Sequence, residues 1–196
     1  MKRIFDLLFT ILGLIILLPF FALIAIWVML DSRGGVFYRQ ERIGKDQKPF
    51  KLLKFRSMRT GADKQGLLTV GMKDSRITRS GFYLRKYKLD ELPQLINVLL
   101  GDMSLVGPRP EVEKYVKLYS QEQLKVLSVR PGITDLASIK YRNENDVLAS
   151  FEDAEAGYIQ SVMPDKLKLN LMYIQNRSLL MDLRIILTTV LPISFV

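Results

Sequence analysis

The sequence predicts an α+β fold: a single, mainly helical domain with a small β-hairpin or sheet, attached to an N-terminal membrane helix. Three observations carry this reading. An apolar stretch runs from Leu7 to Leu30, broken only by Thr10, Gly13 and Pro19. Two short runs rich in aromatic and branched residues, 36–43 and 49–55, flank the polar Gly44 to Lys48 as the arms of a hairpin. Beyond them, apolar residues recur at helical spacing in several segments.

The first element divides the chain into an anchor, 1–32, and a catalytic-size domain, 33–196. Helical throughout, 7–30 measures about 36 Å, enough to cross a hydrocarbon core of about 30 Å. It is longer than the apolar region of a signal peptide, and no small-residue cleavage site follows it, so it is expected to be retained. Its flanks are both basic, with Lys2 and Arg3 before and Arg33, Arg39 and Arg42 after, which keeps both on the cytoplasmic side. Pro19, near the middle, removes a backbone hydrogen bond and kinks a helix. A re-entrant helix that dips into one leaflet satisfies both facts, and a kinked spanning helix is the alternative.

After the hairpin, 60–74 reads as a polar loop over the site. Leu92, Leu95, Ile96 and Leu99 lie on one helical face, with Gly101 as the stop signal. An amphipathic helix is expected over 111–128, and a basic one with an apolar face over 166–189, interrupted near Asn176. Beside a membrane anchor, such helices either dock at the bilayer interface or cover an ordinary core.

Composition narrows the chemistry. The 196 residues contain no cysteine and no histidine. Disulfides, thiolate nucleophiles and zinc–cysteine sites are excluded, and acid–base work falls to Asp, Glu, Lys or Tyr. A metal site would need oxygen ligands, which suit magnesium or manganese. The formal net charge of +9 is concentrated in 33–59, where nine Lys or Arg face only Glu41 and Asp46, a local net of +7. Beside a membrane segment, that stripe points to anionic lipid and substrate phosphates, and no base-stacking module or groove-entering helix speaks for nucleic acid.

The candidate site is 88–110. Asp90 and Glu91 start a helix, where the dipole favours an ionised carboxylate able to act as nucleophile or metal ligand. Neither Gly-x-x-x-x-Gly-Lys-[Ser/Thr] nor Gly-x-Gly-x-x-Gly occurs, so phosphates would be held by arginines. Gly107-Pro108-Arg109-Pro110 and Arg130-Pro131-Gly132-Ile133-Thr134 present theirs from backbone stiffened by the following proline, with glycines that allow close approach. A guanidinium fork takes phosphate oxygens in pairs. Each motif alone is equally a turn with a surface arginine.

Together with Lys54-Phe55-Arg56-Ser57-Met58 and Gly101-Asp102-Met103-Ser104, these stretches resemble the bacterial sugar transferase family, the monotopic phosphoglycosyl transferases. The resemblance covers nearly the whole chain. It implies an enzyme at the cytoplasmic face of the bacterial inner membrane that moves a sugar 1-phosphate from a UDP-sugar to polyprenyl (undecaprenyl) phosphate, releasing UMP and starting a surface glycan. It further implies Asp90 as the nucleophile that takes the phosphosugar and touches Mg2+ (or Mn2+), with Glu91 beside it. Lys54, Arg56, Arg85, Arg109, Arg130 and Thr134 would bind substrate. The chain departs from the family pattern at Leu18-Pro19, commonly Ser-Pro, and at Asp135-Leu136-Ala137-Ser138, commonly Gly-Leu-Ala-Gln. It also lacks the extra membrane helices of larger relatives, which implies a minimal catalytic form. The alternative function is a non-catalytic membrane-anchored module that binds anionic lipid through the basic stripe.

Overall fold

The computed structural model describes residues 1–62 and 74–191. Most of the expected loop over 60–74 therefore lies outside the described residues. Helix α1 is Lys2–Asp31. The hairpin forms as β1, Phe37–Ile43, and β2, Pro49–Phe55, paired antiparallel with Phe37 opposite Phe55 and Ile43 opposite Pro49. Then come α2, Arg79–Lys86, a 3-10 turn at Leu89–Glu91, and α3, Gln94–Leu100, which ends on Gly101 in the left-handed region.

Strand β3, Ser104–Val106, and β4, Gly132–Thr134, form a parallel pair that the sequence reading did not contain. It brings the two proline-braced motifs into backbone contact. A Cβ on Gly132 would lie 2.1 Å from Gly107 N, so only glycine admits this crossing.

The helix expected over 111–128 is instead a short α4, Glu113–Val116, and a separate 3-10 helix, Gln123–Ser128. Ser120 explains the break: its N–H donates to Gln123 Oε1, and its hydroxyl accepts from Gln123 N–H. Local side-chain bonds of this kind compete with helical ones. Short helices α5, Leu136–Lys140, α6, Glu144–Ala149, and α7, Ala154–Gly157, precede α8, Met163–Asn176, and α9, Leu179–Val190. The interruption near Asn176 is present, with Ser178 capping α9 through a bond from Met181 N–H. Tyr115, Leu127, Leu148, Tyr158, Met163 and Leu167 build the main core under β1.

Helix α1 lies along this body rather than away from it. Its buried positions, Asp6, Thr10, Ile24 and Val28, share one face. At its start Lys2 pairs with Asp182 at 2.6 Å, Arg3 donates to Val98 O at 2.7 Å, and Asp6 accepts from Ser104 Oγ at 2.9 Å. At its end Asp31 accepts from Ser80 N–H and Oγ, and Arg56 donates to Val28 O and Ser32 O. Pro19, where a kink is expected, lies inside α1, which stays helical through it. Pro19 is exposed. Exposed Leu8, Leu12, Ile15, Leu23 and Trp27 leave α1 apolar on its outer side.

Candidate active site

The 3-10 turn sets the two acids at different depths. Lys88 adopts φ 58°, a left-handed conformation uncommon outside glycine, and turns the chain sharply from α2 into Leu89–Glu91. Asp90 is 5% exposed and, among the described residues, its carboxylate has no hydrogen-bond or ion-pair partner. Glu91 is the opposite case. Lys54 Nζ lies 3.0 Å from its Oε1, Arg109 Nη1 donates to its Oε2 at 3.1 Å, and Arg109 Nη2 donates to its Oε1.

Electrostatics separates the pair accordingly. Burial pushes Asp90 above the ordinary aspartate range, with the charge of Glu91 adding to it and Lys54, Arg85 and Lys88 opposing. Burial would raise Glu91 too, but the Arg109 and Lys54 cations hold it well below the usual carboxylate range. Burial lowers Lys54, against the pull of Glu91, and the Glu91 carboxylate fixes Arg109 in its charged form. Two neighbouring acids with opposite shifts can take different roles: Glu91 as a permanent anion, Asp90 as the reactive group.

Two buried side chains, Asn97 and Asp135, and the half-buried Arg42 hold this arrangement, and the sequence assigned none of them that role. Asn97, 1% exposed on α3, accepts from Leu53 N–H at 2.9 Å and donates to Lys51 O at 2.8 Å. It thereby takes up backbone groups on the edge of β2 just before Lys54. Its signal was a lone amide in the apolar run Leu-Ile-Asn-Val-Leu-Leu. Asp135, 0% exposed, accepts from Arg109 N–H at 3.1 Å and caps α5 through Ser138 N–H. Arg42 donates to Glu111 Oε1 at 2.8 Å and to Pro110 O at 3.3 Å, pinning the same loop from β1. Asp135 stands where the chain leaves the family pattern, which was its signal.

Of the expected site residues, Asp90, Glu91, Lys54, Arg85 and Arg109 come together. The other three are engaged elsewhere. Arg56, 7% exposed, caps the end of α1. Arg130 donates through Nε to Gly101 O, and Thr134 Oγ1 lies 2.7 Å from Thr189 Oγ1. The basic stripe of 33–59 is likewise divided, since Arg42, Lys54 and Arg56 turn inward. Among the described residues, no three carboxylates converge as a metal cage.

The family model described as bacterial sugar transferase matches residues 1–195. The UDP-glucose:undecaprenyl-phosphate glucose-1-phosphate transferase of Klebsiella pneumoniae is 39% identical over 194 residues, covering 96% of this chain and 39% of that protein. The exopolysaccharide production protein PSS of Rhizobium leguminosarum bv. phaseoli is 39% identical over 202 residues, covering 97% of this chain and 93% of that protein. An Aeromonas hydrophila UDP-N-acetylgalactosamine-undecaprenyl-phosphate N-acetylgalactosaminephosphotransferase is 34% identical over 194 residues, 96% of this chain and 42% of that protein. The chain thus spans less than half of two of these relatives and nearly all of the third.

Proposed function

The chain belongs to the bacterial sugar transferase family, and on that premise we propose that it transfers a sugar 1-phosphate from a UDP-sugar to undecaprenyl phosphate. The observation that carries this reading is the contrast between Asp90, buried and unpartnered among the described residues, and Glu91, saturated by Lys54 and Arg109. A buried carboxylate without hydrogen bonds is a strong nucleophile once ionised, and neighbouring cations admit a phosphate to it.

The reaction runs in two displacements. Asp90 attacks the phosphorus that bears the sugar, the bond from that phosphorus to the bridging oxygen breaks, and UMP leaves with that oxygen. The lipid phosphate then attacks the same phosphorus, which frees Asp90 and forms a polyprenyl diphosphosugar. Glu91 keeps its proton off throughout and holds Lys54 and Arg109 in place beside the reacting phosphate.

A divalent cation fits the donor set. The Asp90 carboxylate offers hard oxygens, whereas both Glu91 oxygens are taken by cations. Mg2+ or Mn2+ would be held by Asp90 and by substrate phosphate oxygens. When bound, it supplies neutralisation of the diphosphate and of the leaving group.

The same reading places the protein on the membrane. Helix α1 is long and apolar enough to cross a bilayer, and only 17% of its most apolar window is buried. Its two ends bond to one body, which supports an anchor that enters the bilayer from the cytoplasmic face without spanning it. The test is UMP release from a panel of UDP-sugars with undecaprenyl phosphate in detergent. No release from any of them would leave the non-catalytic lipid-binding module.

A further inference from the structure

The cations around Asp90 fall into two sets. Lys54 and Arg109 are engaged by Glu91. Arg85 lies in the last turn of α2, and Lys88 caps the 3-10 turn that carries Asp90. Yet among the described residues neither side chain makes a hydrogen bond or an ion pair. These unpaired cations sit at the end of an aromatic track.

Tyr83 in α2 and Tyr87 just past its end are four residues apart, and they are 50% and 61% exposed. Trp27 of α1, 42% exposed, meets Tyr83 with ring centroids 6.0 Å apart. Leu23 and Leu30, also exposed, lie on the same face of α1 as Trp27. An apolar strip therefore runs along α1 and crosses to α2 at Trp27–Tyr83, and from the end of α2 the chain leads through Tyr87, with Lys86 Nζ 5.5 Å from its ring centroid, to Lys88 and Asp90.

We propose that this strip is the acceptor subsite: Arg85 and Lys88 take the phosphate of a polyprenyl phosphate, and Tyr87, Tyr83 and Trp27 carry its first isoprene units. The proposal rests on the transferase reading and adds where the lipid enters. Its ground is complementarity. An exposed apolar track ending in cations with no side-chain partner among the described residues matches an amphiphile with one anionic head, whereas a nucleoside diphosphate has no hydrocarbon to cover Trp27 or Leu23. The track is also continuous with the apolar outer face of α1, so a lipid chain reaches Asp90 without leaving hydrocarbon.

Two measurements test it. Trp27 is the single tryptophan of the chain, so its fluorescence reports the strip without any turnover. Titration with undecaprenyl phosphate in detergent micelles is expected to give a saturable change that undecaprenol does not give and that Lys88→Gln weakens about tenfold. A response to UDP-sugar rather than to the lipid phosphate would assign the cations to the donor and overturn the proposal. In kinetics, Tyr83→Ser with Tyr87→Ser should raise the KM for undecaprenyl phosphate about tenfold. Exchange of labelled UMP into UDP-sugar, which needs no acceptor, should keep its wild-type KM. Equal losses in both half-reactions, or a loss matched by weaker co-sedimentation with phosphatidylglycerol vesicles, would also overturn it. If wild-type protein shows no UMP exchange at all, the transferase reading fails, and the Trp27 titration still decides the lipid site.

Discussion

Arg109 grips Glu91 through both terminal guanidinium nitrogens, so the arginine braced between two prolines holds an acid of the site itself. The fork geometry that suits phosphate suits a carboxylate equally. Glu91 gains a role from this: with Lys54 on the same carboxylate, it joins β2, the 3-10 turn and the Pro108–Pro110 loop at one point.

Glu91→Gln is therefore expected to lower stability as well as activity. It leaves Lys54 and Arg109 without their counter-charge. Loss of one partner from a fully buried pair costs about 3–5 kcal/mol, and the third-exposed Arg109 side chain reduces this to about 2 kcal/mol here. Thermal unfolding in detergent reads the change. A wild-type Tm would show that the three groups do not act as one unit.

Asp90→Asn should separate activity from stability. The Asp90 carboxylate gives up no hydrogen bond to a described residue on substitution, and burial already disfavours its charge. A carboxylate raised on folding destabilises the fold at neutral pH, so the neutral amide should leave Tm unchanged or raise it. UMP release should be abolished. A lower Tm, or retained turnover, would contradict this placement.

How much of this could be read from the chain depends on distance along it. The hairpin, α8 and α9 follow from local pattern and caps, and the Gly101 stop is a single-residue signal. The β3–β4 pair joins three-residue strands 28 positions apart, Ser104 with Gly132, too short and too distant for periodicity to register. Asp90, Glu91 and Arg109 were visible as separate motifs. Their division of labour was not, because which acid meets the guanidinium is decided by the left-handed turn at Lys88 and by the buried supports Asn97 and Asp135.

The opposite shifts of the two acids give a pH test with two signs. If Asp90 must be ionised to attack, activity is present above its folded pKa and lost as pH falls through it, above the ordinary aspartate range. Lys54 lowers that pKa and Glu91 raises it. Lys54→Met should move the acid limb of kcat/KM to higher pH, and Glu91→Gln should move it lower. Limbs that shift in the same direction would remove Asp90 as the titrating group.

Asn97→Ala should cost about 1–2 kcal/mol of stability, because it removes the partners of Leu53 N–H and Lys51 C=O at a part-buried strand edge. Asn97→Asp keeps the acceptor for Leu53 but sets a carboxylate against the Lys51 carbonyl, so it should not rescue. Urea unfolding in detergent checks both, and wild-type midpoints would show that β2 needs no such brace.

The last prediction concerns the anchor, where the geometry changes what Pro19 is expected to do. If Pro19 alone turned the chain back, Pro19→Ala would straighten α1 and carry the N-terminus to the far side of the membrane. But α1 is already helical through Pro19, and its ends are held by Lys2–Asp182 and Arg3–Val98 at one end and Asp31–Ser80 and Arg56–Val28 at the other. Those contacts, rather than the proline, hold each end against the same domain. Pro19→Ala should therefore leave topology unchanged, whereas Asp182→Ala together with Arg3→Ala should loosen the N-terminus. A single cysteine in a short tag ahead of Met1 tests this, with Lys125→Cys marking the domain side. In inverted inner-membrane vesicles an impermeant thiol reagent should label both positions, in the Pro19→Ala background as in the parent. Tag labelling only from the opposite face would mean that α1 spans the bilayer, and the contacts at its start could not then form in the membrane.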